Sequence, residues 1–296
     1  MEKSIKNKIQ IKWATRQRLE FIEVMAYYTG VITRSDIAKT FGISDAAATK
    51  DLKLYNDLYP SNLVYKHSAF GFIPGEMFNE NFADLSPEHA LPKMAQNLAV
   101  VGSPSGHEKI YGINIDSLPL PGRLPTKTVL AQLIRAMKNK KKLQIVYHSL
   151  SDQGSLDARI IEPHSLANSG LRWHVRAYSE TSFDFRDFVL SRISEASVLD
   201  EKAESNVMYD DDWNEIITLE LKPHPNLSDH MRKSLEFDYD IKNGLIQLKV
   251  RRALVGYVLQ RLSVDTTPEH SLNPKAYQLI LLNRDDIEPF AAWAFP

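Results

Sequence analysis

The sequence predicts an α+β chain built from several small domains rather than one large core. Its 296 residues exceed the usual domain size of about 100–150 residues. Hydrophobic spacing is helical up to Pro60 and then switches to a period of two. Beyond residue 126, one helix-like segment gives way to short β-type runs separated by polar turns.

Residues 13–29 (WATRQRLEFIEVMAYYT) predict a helix with Leu19, Ile22, Met25 and Ala26 on one stripe and Gly30 as its stop. Thr33 is placed to cap a second, short helix, with Asp36 three residues on as a variant capping box. Ile37, Ala38 and Phe41 form its apolar face. Gly42 and Ile43 make a tight turn, and Ser44 caps a third helix, SDAAATKDLKLYNDLY, that stops at Pro60. Two helices joined by so short a glycine-containing turn are the signature of a helix-turn-helix. Leu63–Lys66 and Phe70–Ile73 then read as strands around His67-Ser68-Ala69, closed by Pro74-Gly75. A hairpin in that place is a wing, so residues 1–75 are assigned to a winged helix-turn-helix.

Residues 76–125 read as a helical connector, with a helix expected within 87–101 and breaks at Pro104-Ser105-Gly106 and at Pro119, Pro121, Gly122 and Pro125. Residues 126–205 open with a helix over Thr126–Lys142, whose basic end suits a helix C-terminus. Strands are expected over Leu143–His148, Arg159–Pro163, Leu171–Tyr178 and Phe183–Ile193, with turns at Asp152-Gln153-Gly154 and Asn168-Ser169-Gly170. The result is a small, strongly bent sheet or barrel. Residues 206–296 read as a small α+β domain: strand Ile216–Leu221, helix Leu227–Leu235, strand Leu245–Val250, helix Ala253–Leu262 and strand Tyr277–Leu282.

Charge is balanced, with 36 Lys+Arg against 37 Asp+Glu, so the chain as a whole is not a polycation. Residues 1–70 nevertheless carry a net charge of +4, while Asp200–Glu215 is strongly acidic. A basic end on a near-neutral chain suits a protein that meets phosphate with one module. The sequence has no cysteine, which excludes disulfides and thiolate zinc sites. Neither metal nor cofactor is expected. The start MEKSIKNKIQIKW is too charged for a signal peptide and no apolar run reaches membrane-spanning length, so a cytoplasmic protein without a membrane partner is expected.

The third helix has two faces. Ala48, Leu52 and Tyr55 follow inward spacing, whereas Ala46, Thr49, Lys50 and Lys53 form an outer stripe. Small residues let a helix approach base edges, Thr bonds either base type, and Lys reaches guanine or phosphate. The helix start at Ser44 offers free N–H groups to a phosphate. Arg34, and Tyr65, Lys66, His67 and Ser68 on the wing, are further candidates for contact with double-stranded DNA. The competing view of this unit is a three-helix module with a solvated charged face that docks protein.

The stretch from Pro163 to Ile193, PHSLANSGLRWHVRAYSETSFDFRDFVLSRI, resembles the WYL domain of bacterial regulators. Trp173 matches the family tryptophan, and Arg186, Phe188, Leu190, Arg192 and Ile193 match its last strand motif. The Trp-Tyr-Leu triplet itself departs, being Trp173-His174-Val175 here. FGIS followed by Asp51, Leu52 and Tyr55 resembles repressors associated with BREX phage-defence operons. Arg251-Arg252-Ala253-Leu254-Val255-Gly256-Tyr257 resembles the WYL C-terminal extension. The resemblance implies an Sm-like β-barrel in the central domain and a homodimeric repressor acting on an operator, expected to be an inverted repeat. It also implies an effector that is a nucleotide, oligonucleotide or other nucleic-acid-derived signal.

Strand alternation points to the same region. If the 183–193 strand is regular, Arg186, Phe188, Leu190 and Arg192 share a face. Two cations bracketing apolar side chains suit an anionic, partly aromatic ligand. His174, Arg176 and Tyr178 share the opposite face of their strand from Trp173. Tyr147 and Ser149 have matching parity on the first strand, and His164 follows Pro163. The candidate ligand residues are therefore Tyr147, Ser149, His164, Trp173, His174, Arg176, Arg186, Phe188 and Arg192. The bland alternative pairs Arg186 and Arg192 with nearby acids and buries Trp173. Catalysis is disfavoured: there is no HExxH, Gly-rich phosphate loop or nucleophile elbow, and Glu162-Pro163-His164 and His224-Pro225 stand isolated. A third reading, an RNA- or protein-binding adaptor without operator recognition, stays open.

Overall fold

The computed structural model describes residues 11–95, 111–115, 118–150 and 156–296. The chain divides into two compact units, Met1–Pro119 and Leu120–Pro296.

In the first unit, α1 (Trp13–Thr29), α2 (Arg34–Phe41) and α3 (Asp45–Leu58) surround a core of Leu19, Ile22, Met25, Ile37, Ala48, Leu52 and Tyr55. The capping chemistry forms as expected. The Asp36 amide donates to Thr33 Oγ1 and the Thr33 amide donates to Asp36 Oδ2 at 2.8 Å, closing the box. Gly42 turns the chain at φ 62, a left-handed value that a side chain would strain. Strands β1 (Leu63–Lys66) and β2 (Gly71–Pro74) pair antiparallel, and Phe72 exchanges backbone bonds with Ile32, so the wing is tied to the loop between α1 and α2. That approach requires glycine at 71, because a Cβ there would lie 2.7 Å from the Val31 side chain. Helix α4 (Pro87–Ala95) buries Ala90 and Met94 against Val24, on the far side of α1. The rest of the 87–101 expectation, the break at 104–106 and the turn at 152–154 lie outside the described residues.

The second unit opens with α5 (Lys127–Asn139), which packs Val129, Leu133 and Ala136 onto a five-stranded antiparallel sheet. Its strands are β3 (Lys141–His148), β4 (Leu156–Asn168), β5 (Trp173–Ser179), β6 (Asp184–Val189) and β7 (Ile193–Lys202), in the order β6-β5-β4-β3-β7. Three expectations are corrected here. The helix ends at Asn139: Lys140 is left-handed and Lys141 already pairs with Lys202. The 183–193 strand is interrupted, since Leu190–Arg192 form a 3-10 turn that carries the chain from one sheet edge to the other. Arg186, Phe188, Leu190 and Arg192 therefore share no regular strand face. Among the described residues, β6 and β7 do not pair, so the sheet stays open where a closed Sm-like barrel was expected.

A connecting segment with the short helix α6 (Asp211–Asn214) leads into a second sheet. It consists of β8 (Ile216–Pro223), β9 (Ile246–Arg251), β10 (Val264–Asp265) and β11 (Leu279–Leu281), in the order β10-β11-β8-β9. Helices α7 (Asp229–Asp238), α8 (Val255–Arg261) and α9 (Arg284–Ala291) accompany it. Leu219, Leu221, Val255, Leu259, Leu279 and Ile287 form its core. Strands β7 and β10 and helix α9 were not expected. ISEASVLDEK is mostly charged or small, as suits an edge strand, and Pro289 argues against a helix at 284–291.

Candidate nucleic-acid interface and effector cavity

Helix α3 divides as its spacing predicts. Ala48, Leu52 and Tyr55 are buried, whereas Ser44, Ala46, Thr49, Lys50 and Lys53 are all exposed. Ser44 caps the helix by accepting from the Ala47 amide, and the Thr49 hydroxyl donates to the Asp45 carbonyl at 2.8 Å. Tyr65, Lys66, His67 and Ser68 are exposed on the wing, with the Tyr65 ring held edge-on to His67 and Phe72. Arg34 is exposed and lies 3.6 Å from Asp45. A groove of about 770 Å³ runs between these elements, lined by Arg34, Thr49, Lys53, Tyr65 and Phe70.

A buried polar network, missed in the sequence, sets the angle of this face. Glu23 on α1 is fully buried. Its carboxylate accepts from the Tyr55 hydroxyl on α3 at 2.9 Å and from the amides of Asn81, Phe82 and Ala83 at 2.8–3.1 Å. Asn62, at the root of the wing, donates to the Tyr55 hydroxyl and to the Asn79 carbonyl. Burial, then the Glu23 charge, raises the Tyr55 pKa, so the phenol stays a donor. Arg18 grips the buried Asp51 through both carboxylate oxygens at 2.6 and 3.2 Å. The partners of Glu23 and Asp51 lie 32 to 60 residues away along the chain, beyond the reach of local spacing.

In the second unit, the candidate ligand residues separate into two groups. The first group is occupied by protein. Tyr147 and Phe188 are core residues in edge-to-face contact, and the Tyr147 hydroxyl accepts from the Val189 amide. Arg176 clamps Asp210 through two bonds of 2.7 and 3.0 Å, and also reaches Asp212 and Asp187. Burial opposes its charge, but these carboxylates outweigh that and raise its pKa. His164 sits at a β-bulge, which aims its ring at Asp210, 3.0 Å away. Burial lowers its pKa, against the Asp210 hydrogen bond and charge, which raise it. Arg186 is exposed and paired with Asp184. Ser149 is half-buried and engaged.

The acidic run thus supplies internal counter-ions. Arg176 holds it from the five-stranded sheet, while Arg251 and Arg252 hold it from the second sheet. Arg251 donates to the Trp213 carbonyl and Arg252 pairs with Asp212 and Glu215.

The second group consists of His174 and Arg192, joined by two arginines that the sequence reading did not single out, whereas Trp173, one residue before His174 on β5, belongs to the other strand face. Trp173 is 38% exposed. His174 is buried, packs on the Tyr257 ring with centroids 4.5 Å apart, and accepts at Nε2 from Arg172 Nε at 3.2 Å. Burial, then the charges of Arg172, Arg192 and Arg123, push its pKa down to about 4. Burial, then Arg123 and Arg192, also lower that of Arg172. Among the described residues, no carboxylate pairs with any of these three arginines. The charges of Arg172, Arg192 and Arg123 acting on a neutral imidazole, with no carboxylate partner among the described residues, make the site electropositive. Only Arg192 was among the sequence candidates; Arg172 falls in the expected Leu171–Tyr178 strand at the same parity as His174 and Arg176, whereas Arg123 lies in the proline-rich connector.

Comparison with known proteins covers nearly the whole chain. The family model for the BrxR transcriptional regulator winged helix-turn-helix domain matches residues 14–96. The model for the WYL domain matches 128–198, and that for the BrxR transcriptional regulator C-terminal dimerization domain matches 216–287. The chain is similar to the DNA-binding transcriptional repressor CapW of Escherichia coli (strain KTE188), with 34% identity over 280 residues, 93% of this chain and 91% of that one. The protein of the same name in Pseudomonas aeruginosa is 31% identical over 94% of this chain and 92% of its own. Among solved structures, proteasome accessory factor B/C of Arthrobacter aurescens aligns over 95% of this chain and 48% of its own. At 16% identity and a TM-score of 0.26, that alignment carries no argument.

Proposed function

Because the chain belongs to the family of BrxR- and CapW-type WYL transcriptional regulators, we propose that it is a homodimeric DNA-binding repressor of a phage-defence (BREX-like) operon. The observation that carries this reading is the division of α3: its apolar side is fully used inside the first unit, and its Thr- and Lys-bearing side is left to solvent beside an exposed wing. In this account α3 enters the major groove, with Ala46, Thr49 and Lys50 near base edges and Lys53 at phosphate. Arg34, Ser44 and the wing residues Tyr65–Ser68 contact flanking backbone. A dimer spans the two halves of an inverted repeat.

The arginine cluster at Arg123, Arg172 and Arg192 is assigned to an anionic, nucleic-acid-derived effector that modulates DNA binding. Tyr147, Phe188, Arg176 and His164 instead hold the effector-binding unit together. Gel shifts with the DNA upstream of the gene test the function. The expected result is a shift at protein concentrations at least tenfold lower than for random duplex of equal length. Equal affinity for both would remove operator recognition and favour the adaptor reading.

A further inference from the structure

The turn of the wing holds an aromatic residue that the fold does not use. Phe70 follows the 3-10 turn His67–Ala69 and takes a left-handed φ of 51, a conformation that is uncommon for residues with a bulky side chain. Its side chain is 82% exposed. The neighbouring rings behave differently: Tyr65 and Phe72 stand edge-on to each other with centroids 5.2 Å apart, and Tyr65 also packs on His67. Among the described residues the Phe70 ring meets no other aromatic ring. A strained backbone costs free energy, and an exposed ring returns none of it through burial. Strain of this kind collects at functional sites.

The ring faces a place of defined chemistry. Phe70 lines the groove of about 770 Å³ between α2, α3 and the wing. The lining combines two kinds of group: Arg34 and Lys53 bring positive charge, and Tyr65, Phe70 and Phe72 bring aromatic surface. Arg34 lies 3.6 Å from Asp45 with both side chains largely exposed, a pairing that in water holds the guanidinium only weakly. One strand of a duplex has the matching composition, with an anionic phosphate and an apolar sugar face at each nucleotide. The position also fits. The groove borders the exposed Thr49 and Lys53 side of α3, and what lies beside a helix seated in the major groove is the sugar–phosphate wall of that groove rather than a base edge.

We propose that the groove between α3 and the wing seats one sugar–phosphate strand, with Phe70 packed on the apolar face of a deoxyribose while Arg34 and Lys53 meet the phosphates. This rests on the DNA-binding reading above and adds to it a contact residue outside the charged stripe and the part of the duplex that it meets. Contact with sugar is independent of sequence, and contact through a hydrocarbon ring releases no counter-ion. Both properties separate Phe70 from the lysines.

Affinity of the full chain for the upstream fragment and for random duplex of equal length, each over a series of salt concentrations, tests the proposal. Phe70→Gly relieves the left-handed position, and thermal unfolding is expected to show it at least as stable as the native chain. It is nevertheless expected to bind both duplexes about tenfold more weakly, with the slope of log affinity against log salt unchanged. Phe70→Leu keeps apolar bulk and is expected to stay within about threefold of the native chain on both. Unchanged affinity of Phe70→Gly for both duplexes overturns the contact and leaves the ring to a protein partner. A fall confined to the upstream fragment overturns it in favour of insertion between bases, which depends on the step that is opened. A changed slope overturns its apolar nature. Where the native chain binds both duplexes equally, operator recognition fails, and the same fall on both still supports the sugar contact; absence of binding to either duplex overturns both.

Discussion

At the scale of single residues, the chain separates buried charge that holds the fold from charge left over for ligands. Arg176 shows the distinction. It has the exposure of a core residue and four oxygen contacts on three carboxylates. Breaking a buried pair by removing one partner typically costs about 3–5 kcal/mol, because the other charge remains buried. Arg176→Ala is expected to lower the stability of the second unit by that amount, read from urea unfolding of the full chain. A fully folded variant that had lost only its effector response would instead return Arg176 to the ligand site. Alternation along β5 correctly placed His174 and Arg176 on one face, but it could not tell a paired guanidinium from a free one. Their partners, Asp210 and Tyr257, come from segments 34 and more than 80 residues downstream. Glu23 was illegible for the same reason: its meaning lies in four donors that only the tertiary fold assembles.

At the scale of elements, local chemistry was the best guide. The α1 boundaries, the Thr33–Asp36 box, the Ser44 cap and the wing all follow from caps, glycines and a change of period. Where hydrophobic pattern was weak or misleading, the elements were lost, as in the polar edge strand β7 and the proline-bearing α9. The 3-10 turn at Leu190–Arg192 was lost because its residues continue the β alternation without a break. The wing keeps one costly feature. Phe70 holds a left-handed φ of 51 while its side chain is 82% exposed, so strain is not offset by burial. Phe70→Gly is expected to raise the stability of the first unit by about 0.5–1 kcal/mol. A loss of stability would show that the ring packs within the wing.

At the scale of the whole molecule, three family-matched segments share the work: a helix-turn-helix face outside, an internally clamped sheet domain, and a C-terminal domain whose family model is named for dimerization. Charge accounts for this arrangement better than net composition does. Asp210, Asp212 and Glu215 of the acidic run pair with Arg176 and Arg252, whereas among the described residues no carboxylate pairs with Lys50 or Lys53 of α3 or with Arg123, Arg172 or Arg192. The central claim is that the outer side of α3 meets duplex DNA in both subunits of a dimer. Its most direct test is the slope of log affinity against log salt on the upstream fragment, measured for the native chain and for Lys53→Ala. Each lost phosphate contact lowers the slope by about 0.9, so removal of one lysine from each of two subunits is expected to lower it by about 1.8. An unchanged slope, with affinity intact, would contradict the account.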